Sequence, residues 1–310
     1  MQYEKAIMLS IVIPVYNGAE LLSEYLPVLL KVLEDENFPY EIIVVDDGSN
    51  KILEIKYPHT RVLRLNKNYG FAHACNAGAK ESQYPRILFL NTDVKVAPGF
   101  LPPLLKHFDD QTVFAVSPRI IIPEENNYNE AVTAAYLRGS NLIFKIGTKK
   151  DLLHPQEILY ACGAALLVDK DKFWEIGGFD ELYSPFYWED LDLSYQAWKR
   201  GYRVIYEPKS TVFHMHSKTI KSFRRHSFIQ GISMRNRYLF RWKNFTDPWL
   251  VFLMLLELFT LKFLNPNPTE WIGYFKALRK LKEVLAHRKE AQKYARLTDR
   301  EVFAKFKGLI

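Results

Sequence analysis

The chain has 310 residues, 48% hydrophobic and 15% aromatic, which suffices for one large core with an appendage and makes it globular. Its formal charge of +7 hides an asymmetry: residues 1–198 hold 18 Lys/Arg against 27 Asp/Glu (net −9), while residues 199–310 hold 24 against 8 (net +16). Two cysteines, Cys75 and Cys162, exclude a disulfide framework and match no metal spacing, so they read as small buried residues in a reduced compartment. The basic third suits nucleic acid, an anionic membrane or phosphorylated substrates, and composition does not choose among them.

Near the N-terminus the apolar run Met8 to Val15 is short, contains Pro14, and lacks a basic leader and a small-residue cleavage site. It is therefore not expected to be a signal peptide, and the protein is expected in the cytoplasm. The run from Leu9 to Gly18 is β-branched and ends in turn residues, which predicts a buried strand. Leu21, Leu22, Tyr25, Leu26, Leu29 and Leu30 then recur at helical spacing, and Pro39 precedes a second strand, Glu41 to Asp47, closed by Gly48. In parallel sheets ligands bind at the carboxyl ends of strands, so Asp46 and Asp47 are placed to meet one. Arg61 to Leu65 is a third strand, and Asn68 to Gly78 is a loop entering a helix of small residues. Arg86 to Leu90 is a strand that stops on Asn91, Thr92 and Asp93. Two strands ending in acids suggest one shared site.

Thr112 to Val168 is less informative: Phe114–Ser117 and Ala164–Val168 read as strands, and Pro123 to Asn129 as a polar loop. Asp169 to Trp174 has the acid-first order of a helix start, and Gly177-Gly178 ends that helix. Glu189 to Arg200 carries Leu191, Tyr195 and Trp198 on one helical face and stops at Gly201, ahead of a strand from Tyr202 to Tyr206. Glu189, Asp190 and Asp192, bracketed by Tyr187 and Trp188, thus open a helix. Dipole compensation is one reading of these acids. The other is general-base catalysis, in which a carboxylate takes the proton of an attacking hydroxyl.

A nucleoside diphosphate needs its charge neutralised, and a hard divalent cation held by one or two carboxylates does this while leaving most of its shell to water and phosphate. No phosphate-cradling glycine loop is present to do it otherwise. Turn capping by single strand-end acids is the plainer alternative.

Six ordered motifs carry a resemblance: Ser10-Ile11-Val12-Ile13-Pro14-Val15-Tyr16-Asn17, Val45-Asp46-Asp47-Gly48-Ser49, Asn68-Tyr69-Gly70-Phe71-Ala72, Asn91-Thr92-Asp93, Gly177-Gly178-Phe179-Asp180 and Trp188-Glu189-Asp190. Over about residues 8–217 the chain resembles family 2 inverting glycosyltransferases, in particular their bacterial rhamnosyl- and galactofuranosyltransferase-like branch. The resemblance implies an α/β GT-A fold with a mostly parallel central sheet. It implies that Asp47 contacts the donor base, that Pro14 and Tyr16 line that pocket, that Asn76 and Asn91 belong to the donor site, and that Asp93 holds a divalent metal, Mg²⁺ or Mn²⁺. Asn91 departs from the Asp-x-Asp pattern at its first position, which weakens two-carboxylate binding. His214 gains weight as a second metal ligand, with His216 as the fallback. The resemblance also puts the base on Asp190, with Trp188 and Glu189 on the acceptor side.

Residues 1–220 are accordingly expected to form the catalytic domain and residues 221–310 a basic, aromatic-rich helical extension. Its apolar run from Pro248 to Leu264 contains Glu257 and Lys262 and is too short and too charged to span a bilayer. It suits an interfacial anchor on an anionic leaflet at the inner face of the cell membrane, burial against the catalytic domain, or a homo-oligomer interface. The expected function is transfer of a sugar from a nucleoside diphosphate sugar to a glycan or lipid-linked acceptor in cell-surface polysaccharide synthesis. A nucleotidyltransferase would need a Gly/Arg/Lys-rich phosphate loop near the N-terminus, and none is visible. Nucleic-acid binding lacks a recognised module and is not expected.

Overall fold

The computed structural model describes residues 8–36, 38–123, 128–131, 133–146, 153–215, 226–264 and 268–306. Strand β1 (Leu9–Val15) lies between two parallel neighbours, β2 (Tyr40–Asp46) and β4 (Arg86–Leu90), and β3 (Thr60–Arg64) extends the parallel set beyond β2. A strand covered on both faces needs no polar alternation, which is why Leu9, Ile11, Val12, Ile13 and Val15 form a nearly unbroken apolar run and are all buried. Past β4 the direction reverses at β11 and returns at β6. Strand β11 (Ala165–Asp169) is antiparallel to both β4 and β6 (Val113–Ile122), and β12 (Arg203–His214) pairs in parallel with β6. β1 to β4, β6 and β12 therefore all run one way. Short strands β5 (Val94–Val96) and β10 (Gln156–Glu157) add to β12, and β7 (Tyr128–Asn129) adds to β6. A separate hairpin joins β8 (Thr133–Arg138) to β9 (Asn141–Ile146).

Helix α1 (Ala19–Glu36) covers the sheet with Leu22, Leu26, Leu29 and Leu33. Helix α2 (Phe71–Glu81) lies against it more closely, as its small residues predict. A Cβ on Gly78 would come within 2.4 Å of a Val12 methyl and 2.9 Å of a Val45 methyl. Short helices α3 (Leu101–Leu105) and α4 (Lys170–Ile176) follow, then α5 (Glu189–Lys199). The strand expected over Tyr202 to Tyr206 is longer than its sequence pattern. It runs through Pro208 to His214, because the ladder slips register between Glu207 and Thr211 and that bulge accommodates a residue with no N–H to give.

The C-terminal part comprises α6 (His226–Asn244), α7 (Pro248–Leu264), α8 (Pro268–Leu278), α9 (Leu281–Lys293) and α10 (Asp299–Ala304). The boundary expected at residue 220 lies outside the described residues, and the parts on either side of it share one apolar core. Tyr195 of α5 meets the rings of Phe240, Phe245 and Phe303 at centroid distances of 5.4, 6.3 and 5.7 Å. The buried Asp299 carboxylate accepts from Tyr195 Oη (2.6 Å), Lys199 Nζ (2.9 Å) and the backbone N–H groups of Thr246 (2.6 Å) and Asp247 (2.8 Å). Helix α7 buries Leu250 and Met254 and exposes Trp249, Phe252, Leu255 and Leu256. Among the described residues no helix is long and apolar enough to cross a membrane.

Candidate active site

The site residues gather along the edge of the sheet where the parallel strands end, the edge at which open α/β sheets bind ligands. Tyr16 follows β1, Asp47 follows β2, Asn91 to Asp93 follow β4, and His214 closes β12. The two acids after β2 part company. Asp46 is fully buried and structural: its oxygens accept from Ser49 N (2.9 Å) and Arg64 Nη1 (2.6 Å), which builds the turn. Asp47 points to the next loop, where its two oxygens accept from Tyr69 N and Gly70 N, both at 2.8 Å. Burial nonetheless raises its pKa, against the pull of those two amides. Pro14 and Tyr16 are half-buried on the same edge. Asn76, expected at the donor, is put to another use. Its amide donates to Phe179 O (2.8 Å) and accepts from Phe179 N (2.9 Å), clamping the Gly177-Gly178 loop onto α2.

Asn91 is half-buried beside β11, its N–H bonded to Ala164 O. Asp93 and His214 are brought together by the antiparallel pairing of β5 with β12, which sets Val94 opposite His214. Asp93 Oδ1 lies 3.4 Å from His214 Nε2. On the other side of the ring, His214 Nδ1 lies 3.0 Å from Glu130 Oε2. Burial alone would lower the His214 pKa, yet hydrogen bonds and charge from Asp93 and Glu130 overrule it and push the value up to about 9. Two carboxylates thus hold a cation at this point. A divalent ion such as Mn²⁺ would take the place of the Nε2 proton: with Glu130 on Nδ1, the Nε2 lone pair and the Asp93 carboxylate would hold it and leave room for phosphate and water. Among the described residues no third side chain joins them in a preformed cage. His216 lies outside the described residues.

Near Glu130, on another element, stands the start of α5. Asp190 is half-buried, with Oδ2 accepting from Gly163 N (3.0 Å) and Oδ1 from Leu191 N (2.8 Å). Burial raises its pKa, and the charge of Glu130 adds to the effect. Glu189 is buried, one of its oxygens has no partner, and burial with the neighbouring Asp190 charge pushes its pKa up to about 8. Burial there favours its protonated form. Asp192 is a strut: it accepts from Tyr183 Oη (2.8 Å), Lys243 Nζ (2.6 Å) and Asn244 Nδ2 (2.6 Å). Trp188 donates its indole N–H to Ser233 Oγ at 3.3 Å and packs edge-on to the exposed Phe144 of β9. Both cysteines are buried, with thiol pKa values pushed well up by burial, and neither is poised to react.

Residues 10–177, more than half the chain, match Glycosyl transferase family 2. The chain belongs to that family. Over 230 residues it is 30% identical to the pre-mycofactocin glycosyltransferase of Mycobacterium tuberculosis, a match covering 72% of this chain and 46% of that protein. It thus spans about half the length of the curated relatives it matches. Its fold is similar to that of GalNAc-T7, solved with UDP, GalNAc and Mn²⁺ (TM-score 0.62, 18% identity, 92% of this chain and 57% of that one). It is also similar to the mannosyltransferase PcManGT from Pyrobaculum calidifontis, solved with GDP-Man and Mn²⁺ (TM-score 0.52, 15% identity, 96% and 86%). These likenesses show the GT-A fold. In this family 2 glycosyltransferase Asp47, Asp93 and Glu130 lie within the matched region, whereas Asp190 and His214 lie beyond it.

Glu130, which holds His214, and Lys243, which holds Asp180 and Asp192, were not singled out by sequence reasoning. Glu130 sits in a stretch without periodicity, and Lys243 in the basic, aromatic-rich run assigned to the helical extension.

Proposed function

We propose that the protein transfers a sugar, with inversion, from a nucleoside diphosphate sugar to a glycan or lipid-linked acceptor. The observation that carries this reading is the placement of the Asp93–His214 pair and the Asp190 carboxylate at one sheet edge on different elements. Asp190 takes the proton of an acceptor hydroxyl as its oxygen forms a bond to the anomeric carbon. The bond from that carbon to the diphosphate oxygen breaks, and the nucleoside diphosphate leaves with the electron pair. Asp93 and His214 would hold a divalent ion, which supplies positive charge to the diphosphate when bound. Asp47, Tyr16, Pro14 and Asn91 line the nucleotide side, and Trp188 with Phe144 offers aromatic surface to the acceptor.

The exposed Trp249, Phe252, Leu255 and Leu256, in a part of the chain with net charge +16, support peripheral association with an anionic membrane at its inner face. That placement suits a lipid-linked acceptor and cell-surface polysaccharide synthesis. Screening nucleotide sugars for protection against thermal unfolding, with Mn²⁺ and with chelator, tests the reading. A donor that protects only with metal is then assayed for transfer, and the anomeric configuration of the product is read by NMR. Protection by none, or retention of configuration, overturns it.

A further inference from the structure

Four carbonyls of the turn ahead of α5 converge on two adjacent residues of α6. Asn236 is fully buried, and its Nδ2 lies 2.7 Å from Tyr183 O, 3.0 Å from Phe186 O and 2.7 Å from Tyr187 O. Its Oδ1 accepts from Arg235 Nε at 2.8 Å, so the amide is satisfied on both sides. Arg235 Nη2 donates to Tyr183 O at 3.1 Å and to Ser184 O. The other face of the same turn is held from the nucleotide side: Phe71 N donates to Pro185 O (3.0 Å), and Gly70 lies so close that a Cβ on it would come within 2.7 Å of that oxygen.

The turn needs such holding. Tyr187 and Trp188 sit at φ 72° and 81°, a left-handed backbone that bulky side chains resist and that persists only where the surroundings dictate it. Trp188 is also the residue before the first turn of α5, so its backbone sets the direction in which Asp190 leaves the helix. Buried carbonyls left without donors would release the turn.

We propose that Asn236 is a positioning residue: by binding the carbonyls of Tyr183, Phe186 and Tyr187 it holds the turn that aims Asp190 at the acceptor hydroxyl. This deepens the proposed function and rests on Asp190 being the base. Asn236 lies 59 residues beyond the end of the family match at residue 177, so the extension contributes to the site itself. Asn236's own hydrogen bonds reach none of Asp47, Asp93 and His214, and Gly70 and Phe71 hold the far face of the turn through their own backbone. The loss of Asn236 is therefore felt in the chemical step and not in donor binding.

The test uses the full chain as wild type, Asn236→Ala, Asn236→Asp, Arg235→Lys and Asp190→Asn. Asn236→Asp keeps the shape and sets acceptors against acceptors. For both Asn236 variants kcat for acceptor transfer is expected to fall by about 10-fold or more, while the calorimetric Kd for the nucleoside diphosphate with Mn²⁺ stays within about twofold. Folded Asn236 variants with wild-type kcat overturn the proposal, as does a Kd that weakens in step with kcat. If neither Asn236 variant folds, Arg235→Lys decides by the same split, with a kcat loss of about threefold or more expected and no loss overturning the idea. An inactive Asp190→Asn beside wild-type-like Asn236 and Arg235 variants sinks the positioning role alone. A fully active Asp190→Asn, or a wild type that transfers from no donor, sinks the underlying reading and the proposal with it.

Discussion

Lys243 Nζ on α6 lies 2.6 Å from Asp192 Oδ2 on α5, both groups buried, and the same ammonium reaches Asp180 Oδ2 at 2.7 Å. One cation thus ties the segment after Gly177-Gly178 and helix α5 to the extension. Asp180 is held well below the usual carboxylate range: burial pushes the other way, but the charges and hydrogen bonds of Lys243 and His287 prevail. Lys243→Met leaves Asp192 in the interior without its cation and Asp180 with His287 alone, and removal of one partner of a buried ion pair costs about 3–5 kcal/mol. Urea unfolding should show the midpoint falling with little change in slope. An unchanged midpoint would mean that Lys243 is not the group that stabilises these acids.

Asp190→Asn keeps the shape of the side chain and removes its capacity to take a proton. Transfer should drop about 100-fold or more, with donor affinity unchanged. Near-normal turnover in this variant, with loss in Glu189→Gln, would move the base by one residue.

Asp93→Ala should weaken nucleotide binding in the presence of Mn²⁺ and leave it unaltered in chelator. Glu130→Ala, which removes the carboxylate behind His214, should lower Mn²⁺ affinity about 10–100-fold. Glu130→Gln retains an acceptor for Nδ1–H and should lose less. Free Mn²⁺ measured by electron paramagnetic resonance reports all three, and a Glu130→Ala variant that binds like wild type would show that His214 is oriented by other contacts.

Glu189 gives stability a pH dependence of defined sign. Its pKa is about 8 in the folded protein against an ordinary 4.5, so the folded state binds the extra proton. The resulting stabilisation is complete below about pH 4.5 and is lost as the pH rises through about 8. Urea midpoints for wild type should therefore decline across that interval, and Glu189→Gln, neutral throughout, should decline less. Parallel curves for the two proteins would assign the slope to other groups.

Phe252 and Leu255 are 52% and 54% exposed, so replacing both by Ser should leave the fold intact while weakening co-sedimentation with anionic vesicles. Retention should also fall as salt rises. Indifference of the wild type to vesicles at low salt would point to a second protein copy, or a different partner, on this face.

The nucleotide half was legible because buried parallel strands write themselves as apolar runs that stop on polar turns, as Ile42 to Asp46 and Ile87 to Leu90 do. Neighbouring residues with opposite duties were not. Asp46 and Asp47 look alike in sequence, yet successive side chains leave a strand on opposite sides, one toward Arg64 and the other toward Tyr69 and Gly70. Asn76 fell to a backbone clamp on Phe179, 103 residues away, that no local pattern announces. The Glu130–His214 contact spans 84 residues and exists only because β7 and β12 both pair with β6. Pro208 argued for ending the strand it lies in, and only the bulge around it keeps β12 long enough to deliver His214.

The Asp299 carboxylate, which gathers Tyr195, Lys199, Thr246 and Asp247, sets an order of events during synthesis. A growing chain emerges N-terminus first, so the strands that end in Asp47 and Asp93 are available to fold long before residue 299 leaves the ribosome. Helix α5 emerges soon after them, but the carboxylate that receives Tyr195 Oη and Lys199 Nζ is still to come. The strands that lead to Asp47 and Asp93 can form early, whereas the helix that carries Asp190 gains its full set of buried hydrogen bonds only when the C-terminal helices arrive. A nascent chain arrested before α10 should accordingly bind a nucleotide and fail to transfer its sugar.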